Sequence, residues 1–167
     1  MHVYTGSGKG KTTAALGLCM RAAGRGWNVL VVQFMKGMDY GELHAFEAVP
    51  RVAIEQYGRS GFVDRCNPDP EDPQRAARAL NRAAEALASG QYDLVVLDEV
   101  NVAVNFGLID CDAVIRALQA RSPRTEAVCT GRFAPDALVA IADLVTDMRE
   151  VRHPFARNVP AREGVEF

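Results

Sequence analysis

Eight residues near the N-terminus constrain the fold of this chain more than any other segment, Thr5-Gly6-Ser7-Gly8-Lys9-Gly10-Lys11-Thr12. A short β-type segment precedes them at residues 2–4, and an Ala- and Leu-rich stretch with helical spacing follows at residues 11–24. Glycines in such a turn let backbone N–H groups converge on an anion, while Lys11 supplies charge and Thr12 a hydroxyl for Mg²⁺. The segment predicts a strand, a phosphate-binding loop and a helix. A plain glycine-rich turn is the alternative.

This glycine-rich loop, residues 5–12, departs in one place from the phosphate-loop pattern G-x-x-x-x-G-K-[ST]. Counting back from Gly10 places Thr5 where the pattern has its first glycine, so the loop is one residue short if Gly6 opens it. We nevertheless expect it to bind the phosphates of ATP. The candidate ATP contacts here are Gly6, Ser7, Gly8, Lys9, Gly10, Lys11, Thr12 and Thr13.

The remaining chain alternates between apolar and helical segments. Strands are predicted near residues 27–34, 52–57, 94–97, 126–130 and 144–148, and helices near 74–89, 111–120 and 135–141. Residues 27–34 are almost all apolar, which is typical of a parallel strand covered on both faces. We expect one α/β domain over residues 1–167, with a doubly wound, mostly parallel, RecA-like sheet. Residues 58–73 are predicted as a long loop and residues 153–167 as an irregular tail.

Composition excludes several partners. A net charge of -2 provides no basic field for nucleic acid or an anionic membrane, and no apolar run approaches the roughly 20 residues that span a bilayer. The four cysteines have no C-x-x-C spacing that would suggest a zinc site or a disulfide framework. We therefore expect a cytoplasmic protein with reduced thiols, no nucleic-acid partner and no membrane association.

A second motif ends the predicted strand at residues 94–97 with two acids, Asp98 and Glu99. Carboxylates at the end of a buried strand, opposite a phosphate loop, can hold Mg²⁺ or its water ligands. Successive side chains of a strand point to opposite faces, so Glu99 is the first candidate for direct contact with the metal. The candidate metal ligands are thus Thr12, Asp98 and Glu99, for Mg²⁺ or Mn²⁺. A solvated strand end or a helix cap is the alternative for the two acids.

Three further positions are candidates on weaker grounds. Arg132 follows a predicted strand and could reach a phosphate with both guanidinium nitrogens, or it could be an ordinary surface arginine. Lys36 and Glu42 flank the loop after the second strand, where charged side chains are more often solvated than functional. Phe62, in the long loop, is either a plug for the core beneath it or a side chain that stacks on a flat ligand.

Several segments occur together in one order along the chain. They are the glycine-rich loop, Val31-Val32-Gln33-Phe34-Met35-Lys36-Gly37, Gly41-Glu42, Leu97-Asp98-Glu99, Thr130-Gly131-Arg132, Ala142-Asp143-Leu144-Val145-Thr146, His153-Pro154-Phe155 and Gly164-Val165-Glu166-Phe167. This ordered set closely resembles the phosphate-loop corrinoid adenosyltransferases, over essentially the whole chain. The resemblance implies transfer of the 5′-deoxyadenosyl group of ATP to the Co(I) of a reduced corrinoid, with release of triphosphate. It also implies a homodimer and a reductase partner that supplies Co(I).

The resemblance assigns roles to individual residues. It implies that Lys11 contacts phosphate, that Thr12 and Glu99 serve the metal, and that Glu42 touches the nucleoside. Arg21 and Arg132 match positions near the nucleotide. The family also places an aromatic pair near Gly61 to help remove the lower axial ligand of cobalamin; here Phe62 is present and Asp64 takes the place of the second ring. The candidate catalytic residues are therefore Lys11, Thr12, Glu99 and Phe62.

Two other classes of function remain open. An ordinary phosphate-loop ATPase or small-molecule kinase would cleave at the γ-phosphate and usually has an arginine-rich lid. Arg75, Arg78 and Arg82 could form one, although their spacing puts them on one face of a helix. A non-catalytic nucleotide or corrinoid sensor is the other class. Release of triphosphate, of phosphate, or of neither distinguishes the three.

Overall fold

A computed structural model describes residues 1–61 and 63–165 of the chain. Six strands are present in this part: β1 (His2–Thr5), β2 (Val29–Gln33), β3 (Val52–Gln56), β4 (Leu94–Asp98), β5 (Glu126–Thr130) and β6 (Leu144–Asp147). The helices are α1 (Lys11–Ala23), α2 (Gly41–Glu47), α3 (Asp72–Ser89), α4 (Val100–Asn105), α5 (Cys111–Gln119) and α6 (Asp136–Ala140). A single 3₁₀ turn, Pro154–Arg157, lies in the tail that the sequence predicts to be irregular.

The strands form one sheet in the order β3-β2-β4-β5-β1-β6, and every neighbouring pair is parallel. The prediction of a single α/β domain with a doubly wound sheet is confirmed, and the sheet is parallel throughout rather than mostly so. Parallel strands need crossover connections, and the helices between them supply these connections.

Helices cover both faces of the sheet. Along β2, Leu30 and Val32 point into a core that includes side chains from α3, α5 and α6, while Val29 and Val31 point into a core built with α1 and α2. All five residues of β2 and of β4 are buried, as an apolar strand between two helical layers must be. One face of α3 is lined with alanines, which allows the helix to lie close to the sheet, at positions 76, 79, 83 and 86.

Two short helices, α2 and α4, lie outside the segments predicted above to be helical. The helix α4 follows directly after Glu99, where alternating valines give Val-Asn-Val-Ala-Val-Asn a strand-like pattern. It forms because Val100 and Ala103 are buried in the core and because Asn101 Nδ2 donates to Gly131 O at 3.1 Å. The second, α2, has only seven residues and buries Phe46 alone. Tertiary contacts rather than propensity therefore determine both helices.

The carboxyl ends of four neighbouring strands meet at one edge of the sheet. The glycine-rich loop follows β1, residues 34–40 follow β2, Glu99 follows β4, and Gly131 and Arg132 follow β5. Ligands of open parallel sheets bind at this edge. Phe62 lies outside the described residues. Among the residues that are described, no helix has the length and apolarity to cross a bilayer.

Candidate active site

The glycine-rich loop lies against the segment that follows β6. Gly8 N donates to Met148 O at 2.6 Å, and Met148 N donates to Thr5 O at 2.9 Å. Gly6 adopts a left-handed backbone with φ of 101°, and a Cβ at this position would lie 2.2 Å from Asp147 Oδ1 and 2.4 Å from Met148 O. Only glycine fits there, so the contact with the chain after β6 sets the shape of the loop.

The side chain of Lys11 folds back over this loop. Its ammonium donates to Gly6 O at 2.8 Å and to Gly8 O at 2.6 Å, and the residue is only 7% exposed. Burial lowers the pKa of Lys11, and the nearby Glu99 carboxylate acts in the opposite direction. A ligand phosphate would replace the two carbonyl acceptors with a full negative charge, so the lysine is placed to exchange loop contacts for a phosphate.

Asp98, at the end of β4, joins three strands and the glycine-rich loop. Its Oδ1 accepts from Thr12 Oγ1 at 2.8 Å and from Thr130 Oγ1 at 2.7 Å. Its Oδ2 accepts from Lys36 Nζ at 2.8 Å and from Gln33 Nε2 at 3.2 Å. The side chain is 1% exposed, so its charge is compensated entirely within the protein. Asp98 therefore orients the Thr12 hydroxyl and the Lys36 ammonium.

Glu99 differs from its neighbour in environment. It has a left-handed backbone, with φ of 64°, and its N–H donates to Thr130 Oγ1 at 3.0 Å. Its side chain lines the cavity above the glycine-rich loop. Burial, followed by the charge of Asp98, raises the pKa of the Glu99 carboxyl. The two adjacent acids thus occupy different environments, since Glu99 lines the cavity and Asp98 does not.

The oxygen atoms around Thr12 form a set of hard donors. The Thr12 hydroxyl lies beside Asp98, and Glu99 contributes a carboxylate to the same cavity. Such oxygens suit Mg²⁺ or Mn²⁺ together with phosphate oxygens and water. The described residues contain no cluster of three or more His, Cys, Asp or Glu side chains that could hold a metal by themselves.

Gln33 is a buried polar residue that connects two of the charged groups. Its Nε2 donates to Glu42 Oε1 at 3.1 Å as well as to Asp98, and its Oε1 accepts from Gln56 Nε2 at 3.0 Å. The residue is fully buried in β2. It therefore fixes the Glu42 carboxylate at a set distance from Asp98. A glutamine within an apolar, β-branched strand is the signal in the sequence that could have identified it.

Lys36 lies between these carboxylates. Its ammonium is 3.8 Å from Glu42 Oε1 and 3.4 Å from Thr12 Oγ1, in addition to its contact with Asp98. Burial by itself would lower the pKa of Lys36, but Asp98, Glu99 and Glu42 outweigh burial and raise the pKa, so the side chain remains an ammonium. From the sequence, a solvated loop residue is the favoured interpretation of this lysine. The structure places it in the candidate site.

Arg132 projects from a rigid turn after β5. Gly131 N donates to Tyr4 O at 3.1 Å, and Ala134 N donates to Thr5 Oγ1 at 3.2 Å, so both sides of the turn are bound to β1. Arg132 and Phe133 are exposed, and both line the cavity. Arg132 therefore lines the same cavity as Lys11, whose pKa is lowered by burial and, to a smaller extent, by the positive charge of Arg132.

A cavity of about 710 Å³ brings most of the predicted residues together. The predicted residues that line it are Gly8, Lys9, Gly10, Lys11, Thr12, Thr13, Glu42, Glu99 and Arg132. Gly6, Ser7 and Asp98 are absent from its lining. Arg21 is exposed in the last turn of α1 and is also absent from the lining.

The cavity is also lined by residues that the sequence did not mark as site candidates, although three of them, in the tail, belong to segments that carry the family resemblance. The tail contributes His153, Gly164 and Val165, and Lys9 Nζ donates to Val165 O. Apolar side chains come from α4 and the turn after β5: Val102, Phe106 and Phe133. The tail has no periodicity that could have placed these residues here.

Comparisons with known proteins agree on one family. The chain matches the profile described as ATP:corrinoid adenosyltransferase BtuR/CobO/CobP over residues 1–167. It is 39% identical to the corrinoid adenosyltransferase of Pseudomonas aeruginosa over 166 residues, which cover 99% of this chain and 82% of that protein. It is 36% identical to the corrinoid adenosyltransferase CobA of Salmonella typhimurium over 166 residues, covering 99% and 84%. These matches confirm the resemblance inferred from the motifs.

Proposed function

Because the chain belongs to the ATP:corrinoid adenosyltransferase family, we propose that it transfers the 5′-deoxyadenosyl group of ATP to the Co(I) of a reduced corrinoid. Triphosphate is the second product. The observation that best supports this proposal is the cavity itself, whose lining combines Lys11, Thr12 and Arg132 with Lys36, Glu42 and Glu99. Such a site can bind a polyphosphate at one end and an uncharged nucleoside at the other.

The reaction needs no side-chain base. The electron pair of Co(I) forms the Co–C bond at C5′ of ATP, the C5′–O5′ bond breaks, and its electron pair leaves with the triphosphate. Cobalt is formally oxidised from Co(I) to Co(III). The protein has to position the two substrates, stabilise the charge on the departing triphosphate and exclude water. The absence of a predicted catalytic triad or histidine base is consistent with this chemistry.

We assign Lys11 and the backbone N–H groups of the glycine-rich loop to the triphosphate. Thr12 and Glu99 would hold Mg²⁺ beside it, with Asp98 orienting Thr12 through the 2.8 Å hydrogen bond. When bound, the ion supplies charge neutralisation on the phosphate oxygens. Glu42, fixed by Gln33, is assigned to the nucleoside, and Arg132 to the phosphates. Arg21 remains a nucleotide candidate only on the resemblance.

The rival kinase or ATPase function loses support from the arrangement of α3. Arg82 donates to both oxygens of Glu55, at 2.9 to 3.1 Å, and also to Tyr92. Arg75 is paired with Glu71 at 2.6 Å. These arginines join α3 to β3 and to the preceding loop, so they are not positioned as a lid over a γ-phosphate. The homodimer, the reductase partner, the cytoplasmic location and the role of Phe62 stay predictions.

The proposal is tested by anaerobic incubation with Mg²⁺-ATP and chemically reduced cobalamin. We expect the Co(I) absorbance to decay, a light-sensitive adenosylated product to form, and intact triphosphate to be released. Lys11→Ala should remove most of this activity through lost triphosphate binding. Stable Co(I) together with orthophosphate release would instead assign an ordinary ATPase, and release of neither phosphate product would assign a sensor.

A further inference from the structure

The distribution of lysine in this chain is unusual. The sequence has only three lysines, Lys9, Lys11 and Lys36, while the other sixteen basic residues are arginines. All three lysines line the candidate cavity. Lys9 and Lys11 belong to the glycine-rich loop and have a role in phosphate binding. Lys36 instead follows β2, and the roles proposed above do not include it.

The Lys36 ammonium is built into the site and still faces the cavity. Its side chain is 15% exposed, and the ammonium lies 5.2 Å from the centre of the Tyr40 ring. Two of its three N–H groups have acceptors among the described residues, Asp98 Oδ2 at 2.8 Å and Thr12 Oγ1 at 3.4 Å. Glu42 Oε1, at 3.8 Å, is beyond hydrogen-bond distance. One N–H group therefore remains for a ligand in the cavity.

The backbone at Lys36 is held rigidly. Gly58 N donates to Lys36 O at 2.7 Å, and a Cβ on Gly58 would lie 2.3 Å from Lys36 N. A Cβ on Gly37 would lie 2.6 Å from Gly58 O. The loops after β2 and β3 are thus in direct backbone contact, so the position of the Lys36 ammonium is fixed before a ligand binds. Such preorganised charge is effective on a developing anion.

The surrounding charges indicate which part of ATP meets Lys36. Glu42 carries a carboxylate, which would repel phosphate but can accept hydrogen bonds from the hydroxyls of a ribose. Thr12, on the other side of the ammonium, belongs to the loop that binds phosphate. The Lys36 ammonium lies between the two, 3.8 Å from Glu42 Oε1 and 3.4 Å from Thr12 Oγ1. This is the border between an uncharged ribose and a charged triphosphate, where the α-phosphate must lie.

We propose that Lys36 is a catalytic residue that contacts an α-phosphate oxygen of ATP and stabilises the triphosphate as it leaves C5′. This assignment rests on the proposed adenosyl transfer. As the C5′–O5′ bond breaks, its electron pair passes to the oxygen on the α-phosphorus, and the ammonium neutralises part of that charge. No proton has to be transferred.

The first experiment uses the small number of lysines. Protein labelled with ¹³C at the lysine ε-carbon gives three signals, and Lys36→Arg assigns the one from Lys36. We expect ATP to shift the Lys36 signal and adenosine to leave it in place, because only ATP brings an α-phosphate. A Lys36 signal whose chemical shift does not change on addition of ATP would overturn the proposal. This result does not depend on whether the chain transfers adenosyl groups.

The second experiment measures chemistry. Lys36→Met keeps the length of the side chain and removes its charge, and we expect kcat to fall about 100-fold while the Kd for ATP rises only about fivefold. ATP with sulfur in place of an α-phosphate oxygen should slow the wild type, and this sulfur effect should largely disappear in Lys36→Met. It should persist in Lys11→Met, which loses a charge from the same cavity. The kcat of Lys36→Arg should be at least tenfold higher than that of Lys36→Met.

Three results would contradict the role. An equal sulfur effect in wild type and Lys36→Met would mean that Lys36 acts only through Asp98 and Thr12. A kcat within threefold of wild type in Lys36→Met would mean that its charge is not used. Failure of Lys36→Arg to restore any rate would assign the loss to disturbed packing. A wild-type chain that binds ATP but leaves Co(I) unchanged would contradict the proposed function instead, and the labelled-lysine result would then decide the Lys36 contact alone.

Discussion

The Thr12 hydroxyl donates a 2.8 Å hydrogen bond to Asp98, across 86 residues of sequence, and so connects the glycine-rich loop to the end of β4. The bond directs the Thr12 hydroxyl proton toward the Asp98 carboxylate and leaves a lone pair of the hydroxyl oxygen for a cation. We expect Thr12→Val, which keeps the shape and removes the hydroxyl, to raise the Kd of Mg²⁺-ATP at least about tenfold in calorimetry. Thr12→Ser is the matched control and should bind within about threefold of wild type. Equal affinity in all three proteins would contradict the role of the hydroxyl.

The contact of Gly6 with the chain after β6 predicts a large loss of stability in Gly6→Ala. The new Cβ would meet Asp147 and Met148 at 2.2 and 2.4 Å, on a backbone with φ of 101°. We expect the free energy of unfolding to fall by about 2 to 4 kcal/mol. Gly17→Ala is the control: it lies in α1 with no atom within 4 Å of a new Cβ, and should gain about 0.5 to 1 kcal/mol. Denaturant titration measures both changes, and a mild effect of Gly6→Ala would contradict this account of the loop.

The environment of Glu99 predicts a pH-dependent cost to stability. Burial, and then Asp98, raise the pKa of Glu99 above its ordinary 4.5, so the folded protein binds its proton more tightly than the unfolded chain does. Stability from this group is therefore greatest below pH 4.5 and is lost as the pH rises through the folded pKa. Glu99→Gln should unfold at a higher temperature than wild type at neutral pH, with the difference shrinking toward pH 4. A constant difference across this range would show that Glu99 does not titrate as described.

The four cysteines should differ sharply in reactivity. Burial raises the pKa of both Cys19 and Cys129 to about 12, and both are fully buried, whereas Cys66 is exposed. Burial also raises the pKa of Cys111, which is partly exposed. With a thiol reagent at pH 8, we expect one fast thiol, one slower thiol and two that react only after unfolding. Mass spectrometry of the labelled peptides identifies them, and rapid labelling of Cys129 would contradict the packing of β5.

Much of the fold follows from local sequence patterns. The strands β2 and β4 are recognisable because nearly every position is apolar, and α3 because its alanines recur at helical spacing. The helix α4 could not be predicted, because its valines alternate like those of a strand and its stability comes from burial of Val100 and a bond from Asn101 to Gly131. Local propensity is thus overruled where a short segment packs against residues far away in the chain.

In the candidate site, too, some residues could be identified from local sequence patterns and others could not. The glycine-rich loop and the Asp98-Glu99 pair are contiguous motifs, so their spacing is visible in the sequence. The position of Lys36 depends on Asp98, 62 residues later, and on a backbone contact with Gly58. The cavity-lining tail residues, such as His153, are likewise placed by contacts that no local pattern specifies. Motifs reveal which groups are available, and tertiary contacts decide which of them meet.

The place of β1 in the sheet has a consequence for synthesis. Among the described strands, β1 pairs only with β5 and β6, whose residues begin at Glu126 and Leu144. As a chain leaves the ribosome, β1 therefore has no strand to pair with until β5 and β6 have been made. The glycine-rich loop, which is seated on Met148, cannot take its final shape earlier. Nucleotide binding should thus mark the completion of folding, and chains that end before β5 should remain unable to capture ATP.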